Sequence, residues 1–366
     1  MSNVRELHNE AMKLAQLAMV AHHEGNLEKT TTLAYQAYEY ESQAADLIPH
    51  HASSEPTRSI LYLSAASLAY QCKELHAAQR LVAQGLSGYP PSKTEQDLKN
   101  LYEQIEFQLH LQERGEELED EALQLSLQGK AVGPGMILYS EFISRIEKTR
   151  SLIDRTVQRL MHRNYQRAGR VAQIYKPFTQ ALVIPDQHSF AIAFKLIRTE
   201  DHRQMPLFFD AAQVIDEFLT GIEHISKSNE DKLKERIPEQ AYYRHFVSMA
   251  RDVAPDGEKV SLVGFASTKQ SVTLTRQRRD IVLPPPESDE KDVKHTPIKV
   301  KGLLDYATSR QKDIIGLTTD DNEYNVLVEE GLDDLVRSYF GQYVVIIGTY
   351  DGKNIHLTDI YSADDE

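Results

Sequence analysis

The stretch DRTVQRLMHRNYQR, residues 154–167, sets Arg155, Arg159, Arg163 and Arg167 four residues apart. On a helix of 3.6 residues per turn, that spacing keeps all four on one slowly drifting face. Planar guanidinium groups in such a row grip phosphates or carboxylates through paired hydrogen bonds. Arg155 and Arg159 each follow an apolar residue, Ile153 or Val157, by two positions, roughly 200° around the helix. The row is therefore expected to face solvent. Three chemistries suit it: a solvated face neutralised by nearby acids, an acidic protein surface or segment of this same chain, or nucleic-acid phosphates.

Charge weighs on that choice. The 366-residue chain carries a formal net charge of −14, which argues against a nucleic-acid binder overall. The average hides a contrast. Residues 141–176 hold seven Arg and two Lys against two Glu and one Asp, a net of +6. Residues 296–366 hold four Lys and two Arg against ten Asp and four Glu, a net of −8. The contrast suggests an interaction of the arginine row with an acidic surface, this chain's own C-terminal segment being one candidate.

Other residues are weaker candidates for chemistry. Arg155 and His162 form an R-x6-H spacing that is similar to the Arg–His motif of HEPN-type ribonucleases. The resemblance implies RNA cleavage at a helical dimer interface, with Thr156 standing where that family often has Asn, Asp or His. With 14 His and many Arg in the chain, such a spacing is expected by chance, and no residue is assigned as catalytic. GKAVGPG, residues 129–135, sits between a strand and a helix, yet its lysine comes too early for a Walker loop. It reads as a sharp turn. The pairs His22–His23 and His50–His51 have no Cys or HExxH companion, so no metal and no cofactor are expected.

The elements that position these residues fall into three blocks. In the first, residues 1–115, GNLEKTTTLAYQAYEYE and CKELHAAQRLVAQGLSG superimpose with Leu27 on Leu75, Leu33 on Leu81 and Ala37 on Gly85. A helix-length segment precedes each and Pro49 or Pro90 follows, so two helix hairpins are expected. Small residues at Ala37 and Gly85 let neighbouring helices approach closely. The pattern resembles tetratricopeptide repeats over roughly 6–89, although its 48-residue spacing exceeds the usual period of about 34. A further helix over 94–115, with Leu98, Leu101, Ile105, Leu109 and Leu111 in a stripe, would cap the array. The resemblance implies protein binding, with Tyr35, Tyr38, Tyr62 and Tyr70 as candidate contacts.

The second block, residues 116–283, reads as one α+β domain. LQLSLQ alternates as a half-buried strand, the arginine helix spans about 140–163, and 178–197 form a strand hairpin turning near 185–188. Helices follow at about 211–225 and 239–253, then strand-like VSLVGFA, SVTLT and DIVL. Residues 284–295, PPPESDEKDVKH, read as a tether. In the third block, 296–366, three strands, a short helix and two strands follow in the order of an oligonucleotide-binding (OB) fold, which the segment looks like on element order and size. Gly302 suits the bend of the first strand. Tyr306, Tyr324, Tyr350 and Tyr361 are base-stacking candidates there, set against the repulsion of a −8 surface.

The expected fold class is therefore multi-domain α+β: helical repeats, a central α+β domain and a small acidic β-barrel. One cysteine, Cys72, excludes an internal disulfide framework, and no apolar run is long enough to span a bilayer, so a cytoplasmic protein with no membrane role is expected. The expected function is a non-enzymatic scaffold or adaptor. The alternative is a nucleic-acid-associated factor, possible as a ribonuclease or as part of a bacterial defence or toxin–antitoxin system, in line with a resemblance to uncharacterised bacterial repeat proteins.

Overall fold

The computed structural model describes residues 2–24, 26–116, 118–133, 136–167, 177–183, 191–199, 209–284, 296–307 and 314–363. The expected hairpin turn at 185–188 and nearly all of the expected tether, 285–295, lie outside the described residues. The fold is mixed α+β and divides into two compact units, Met1–Glu113 and Arg114–Glu366.

The first unit is helical. Helices α1 (Ser2–His23) and α2 (Leu27–Asp46) pack together, as do α3 (Thr57–Gln71) and α4 (Leu75–Leu86), and α2 also packs on α3. The second helix of each hairpin begins at one of the two superimposed leucines, Leu27 and Leu75. Asn26 caps α2 by accepting from the Lys29 amide. Alanines fill the contacts, and Ala37, Ala45, Ala65, Ala66, Ala69 and Ala78 are wholly buried. Gly85 shows why a small residue is needed: a Cβ there would lie 3.1 Å from the Leu98 side chain. Leu98, Leu101 and Ile105 of α5 (Ser92–Glu116) close this core.

The second unit is built on an antiparallel sheet in the order β4-β5-β1-β6-β7. Its strands are β1 (Ala122–Gln128), β4 (Phe178–Val183), β5 (Ala191–Arg198), β6 (Leu262–Ala266) and β7 (Ser271–Leu274). A two-residue hairpin, β2 (Val132–Gly133) and β3 (Met136–Ile137), leads from β1 into α6 (Tyr139–Leu160). Helices α7 (Ala211–Ser226), α8 (Glu230–Arg236) and α9 (Gln240–Val253) complete this part. The core joins Leu123, Leu125, Leu127, Phe194 and Phe265 of the sheet to Ile153, Phe218 and Phe246 of the helices.

Three expectations need correction here. LQLSLQ is a strand but is not half-exposed, because β1 is the middle strand and both its faces are buried. Gln124 and Ser126 meet that burial by hydrogen-bonding each other at 2.9 Å. DIVL is not a strand: a single 3₁₀ turn, Arg278–Asp280, precedes irregular chain. The arginine helix stops at Leu160, and His162 adopts φ 51° in the turn beyond it.

The C-terminal part is a closed five-stranded barrel of β8 (Thr296–Ala307), β9 (Ile314–Thr318), β10 (Glu323–Leu327), β11 (Tyr343–Tyr350) and β12 (Asn354–Ser362). Strand β8 pairs with both β9 and β11, while β10 runs parallel to β12. At Gly302 an added Cβ would meet the Thr318 carbonyl oxygen at 2.5 Å, so the long strand can pass its neighbour only as glycine. Helix α10 (Asp333–Ser338) follows β10 and packs on α9. One apolar cluster runs from the sheet and helices into the barrel through Leu332, Leu335, Val336 and Tyr339.

Candidate functional site

Arg155, Arg159 and Arg167 of the row end up in a polar seam inside the second unit, while Arg163 is exposed. Arg155 is 7% exposed. Its Nε donates to Asp334 Oδ2 at 3.1 Å, its Nη1 donates to Gln158 Oε1 and the Gln166 carbonyl, and its guanidinium lies 4.4 Å from the Tyr165 ring centre. Arg159 donates to Glu217, which also accepts from Arg236. Arg163 and Arg167 are not on the helix at all. They lie in the chain beyond it, where the Arg163 carbonyl accepts from Tyr242 and Arg167 donates to Glu330 at 3.2 Å and to the Val328 carbonyl at 2.9 Å. The expected solvent-facing stripe is corrected for Arg155, Arg159 and Arg167, while Arg163 faces solvent off the helix. The buried face of α6 packs on α7 and α9 and meets Asp334 of α10, and its other face stays exposed.

Asp334 is the centre of the seam. Besides Arg155, Ser151 donates its hydroxyl to Asp334 Oδ2 at 3.1 Å, and His245 Nε2 lies 3.2 Å from that same oxygen. Ser151 Oγ is also 2.9 Å from His245 Nε2. Serine, histidine and aspartate in contact invite comparison with a nucleophilic triad. The geometry differs in the decisive respect: a triad aspartate binds the imidazole nitrogen opposite the serine, whereas here both meet Nε2. The His245 side chain is also 1% exposed, out of reach of a substrate.

The electrostatics follow from this burial. Burial disfavours the charged imidazole and holds the His245 pKa below its ordinary value. Burial alone would raise the Asp334 carboxyl, but His245 and the Arg155 guanidinium outweigh it and hold that group well below the usual carboxylate range. Asp333, next in the chain, goes the other way and is raised by burial.

A second carboxylate repeats the pattern. Asp252 is fully buried, 2.9 Å from Lys148 Nζ, and accepts from the Tyr339 hydroxyl at 3.1 Å. Burial opposes its ionisation, and Lys148, Arg278 and Arg251 overcome that to lower its pKa. Arg251 in turn holds Asp359 and the Ile360 carbonyl of β12. The central part therefore grips the C-terminal part at several acids, among them Asp334, Glu329, Glu330 and Asp359, with cations from α6, α9 and the chain after α6. Gly331 seats this contact: it has φ 96°, and a Cβ there would fall 2.3 Å from the Ala241 carbonyl oxygen of α9. Gly331→Ala is expected to destabilise the second unit by about 1–3 kcal/mol, read by thermal unfolding, while Gly352→Ala, with φ 93° but open space, loses less.

The remaining candidates disperse. Tyr35 is 41% exposed and packs edge-on to half-buried Tyr38, with ring centres 5.5 Å apart. Tyr62 is a core residue, not a contact: it is buried, donates to Asp46 at 3.0 Å and carries Arg58 over its ring. Tyr70 packs partly against the same core, and burial raises its pKa. His162 is exposed on its turn, while Arg155 is committed inside. Gly129 of GKAVGPG is a tight turn, its Cα facing the Lys259 carbonyl, and residues 134–135 lie outside the described residues. His50 Nε2 contacts the Ser87 carbonyl and His51 Nδ1 contacts Ser53, while the side chains of residues 22–23 lie outside the described residues. Among the described residues, no group of three His, Cys, Asp or Glu is placed to hold a metal. Burial raises the Cys72 thiol to about 11, so it is no nucleophile near neutrality.

In the barrel, Tyr324 and Tyr350 meet edge-to-face, 6.1 Å apart, against the core, and Lys299 lies over Tyr361. The Tyr306 side chain lies outside the described residues. An open cleft of about 450 Å³, floored by Phe178, Leu196 and Phe209, carries Arg198 and Asp210 at its edge. Asp210 is already used as the capping residue of α7. No helix among the described residues is long and apolar enough to cross a membrane. No family model, curated protein or solved structure matches the chain.

Proposed function

We propose that this protein is a non-enzymatic scaffold or adaptor that captures a protein partner on its helical hairpins. The observation that carries this reading is the occupancy of the arginines. Arg155, Arg159 and Arg167 hold Asp334, Glu217 and Glu330 of the same chain, so these cations are already neutralised. A nucleic-acid groove needs cations free along the phosphate path. The hairpins are tetratricopeptide-like in their helix pairing and small-residue contacts, and the partner segment would dock beside exposed Tyr35. The barrel is OB-like: β8-β9-β10, a helix, then β11 and β12, with β10 parallel to β12. Its role here is a docked accessory module that consumes the basic charge of the centre. The setting that suits such a protein is the cytoplasm.

The barrel's connectivity also favours the second reading, a nucleic-acid-associated factor in a bacterial defence system, because OB-like barrels bind single strands. One experiment separates the two. The full chain is used as bait in native lysate, with and without nuclease, at moderate salt. The adaptor reading expects a discrete protein retained after nuclease and lost with Tyr35→Ala and Tyr38→Ala together. Co-purifying RNA or DNA, with all captured protein lost after nuclease, would overturn it.

A further inference from the structure

The start of α6 breaks the rules of a solvent-facing helix. Its N-cap position is Leu138, which makes no side-chain cap, where Ser, Thr, Asp or Asn normally satisfies the free amides. Around it the side chains of Met136, Leu138, Tyr139 and Ile143 are 68%, 53%, 77% and 37% exposed. A run of apolar side chains this exposed marks an interaction surface. Further along, the exposed stripe of α6 continues as Glu147 and Arg150, a solvent pair at 3.4 Å. The strip is therefore apolar and aromatic at one end, carries a glutamate–arginine pair at the other, and is neutral overall.

We infer that this strip is an isologous interface between two copies of this chain, with α6 antiparallel to α6 of the second copy. A two-fold axis requires a surface that complements itself when reversed. This strip does so: reversal about a point near Ser144 brings the Tyr139 ring onto Arg150 of the second copy, and Arg150 onto the second Tyr139. Ile143 lies between these two cation–π contacts, beside Glu147 of the second copy, and Met136 and Leu138 extend the apolar end. The net charge of −14 opposes self-association, and the strip, with one glutamate and one arginine per copy, adds nothing to that repulsion.

Sedimentation velocity of the full chain over a concentration series tests this. The expected result is a shift from one copy to two with rising concentration. Tyr139→Arg or Arg150→Tyr alone should raise the dissociation constant about tenfold or more, because each removes both symmetry-related pairs. The double variant Tyr139→Arg/Arg150→Tyr rebuilds the pairs with their members exchanged and should return to within about threefold of the starting value. Both positions are exposed, and far-UV circular dichroism checks that each variant keeps its fold. A chain that stays single throughout, a dimer indifferent to either substitution, or a double variant no better than the singles would overturn the inference.

Discussion

Asp334→Ala is expected to destabilise the second unit by about 3–5 kcal/mol, because it removes one partner of a largely buried ion pair. The carboxylate is 3.1 Å from Arg155 Nε, 3.1 Å from Ser151 Oγ and 3.2 Å from His245 Nε2. Truncation leaves the buried Arg155 guanidinium with only neutral acceptors, Gln158 and the Gln166 carbonyl, and the loss is set by that uncompensated charge. Asp334→Asn keeps an acceptor oxygen and should cost less. Hydrogen exchange is the suitable readout, since it reports the elements of the two compact units separately. Protection should fall in β8–β12 and in α9 while α1–α4 are unaffected.

The replacement Arg155→Met with Asp334→Leu distinguishes a net attraction from a mere need for mutual compensation. Removing both charges eliminates the desolvation cost of each, so the double variant should recover most of the stability lost by Asp334→Ala. His245 and Ser151 still satisfy each other at 2.9 Å in that variant. If Asp334→Ala left barrel protection unchanged, the seam would be a bystander to packing through Leu335, Val336 and Tyr339.

The sequence carries the elements of this seam but not their meeting. Helix hairpins, their leucine starts and the close approach at Gly85 were legible because small and apolar residues at helical period leave few other packings. The barrel strands were legible from their element order, with Gly302 at the bend of the first. What could not be read is which second surface covers α6. Arg155 lies opposite Ile153 and Val157, and a single amphipathic helix would leave it in water; α9 and Asp334 of α10, the latter more than 170 residues away in sequence, make that face interior. One sign was available. Helix α9, QAYYRHFVSMARDV, places Arg244, His245, Ser248, Arg251 and Asp252 in a polar stripe, yet all of them are buried. Polar residues on both sides of a helix with so many aromatics need internal partners, and α6 and the acidic C-terminal segment supply them. Strand β1 illustrates the same limit, because alternation tells which face is apolar but not whether the polar face reaches solvent.

Acid is expected to loosen the second unit in two stages. His245 has a folded pKa below its ordinary value of about 6.5, so between those two values the unfolded chain binds a proton that the folded chain refuses. Stability from this group is complete above about 6.5 and declines as pH falls, at most about 1.4 kcal/mol per pH unit. Asp334 and Asp252 also have lowered folded values, so their contribution is present above the ordinary carboxylate value of about 3.9 and is lost only as pH falls below it. Asp333, raised by burial, acts in the opposite sense and softens the second stage. The other groups around His245 do not titrate in the first window: Arg155 stays charged, while Tyr165 and Tyr242 are pushed further up by burial. Urea unfolding from pH 7.5 to 5, comparing the chain with His245→Gln, isolates the first stage from the remaining histidines. The glutamine amide can still donate to Asp334 and Ser151 but takes up no proton, so its stability curve should be flatter over that range. Parallel curves for the two proteins would mean that His245 titrates alike in the folded and unfolded chain.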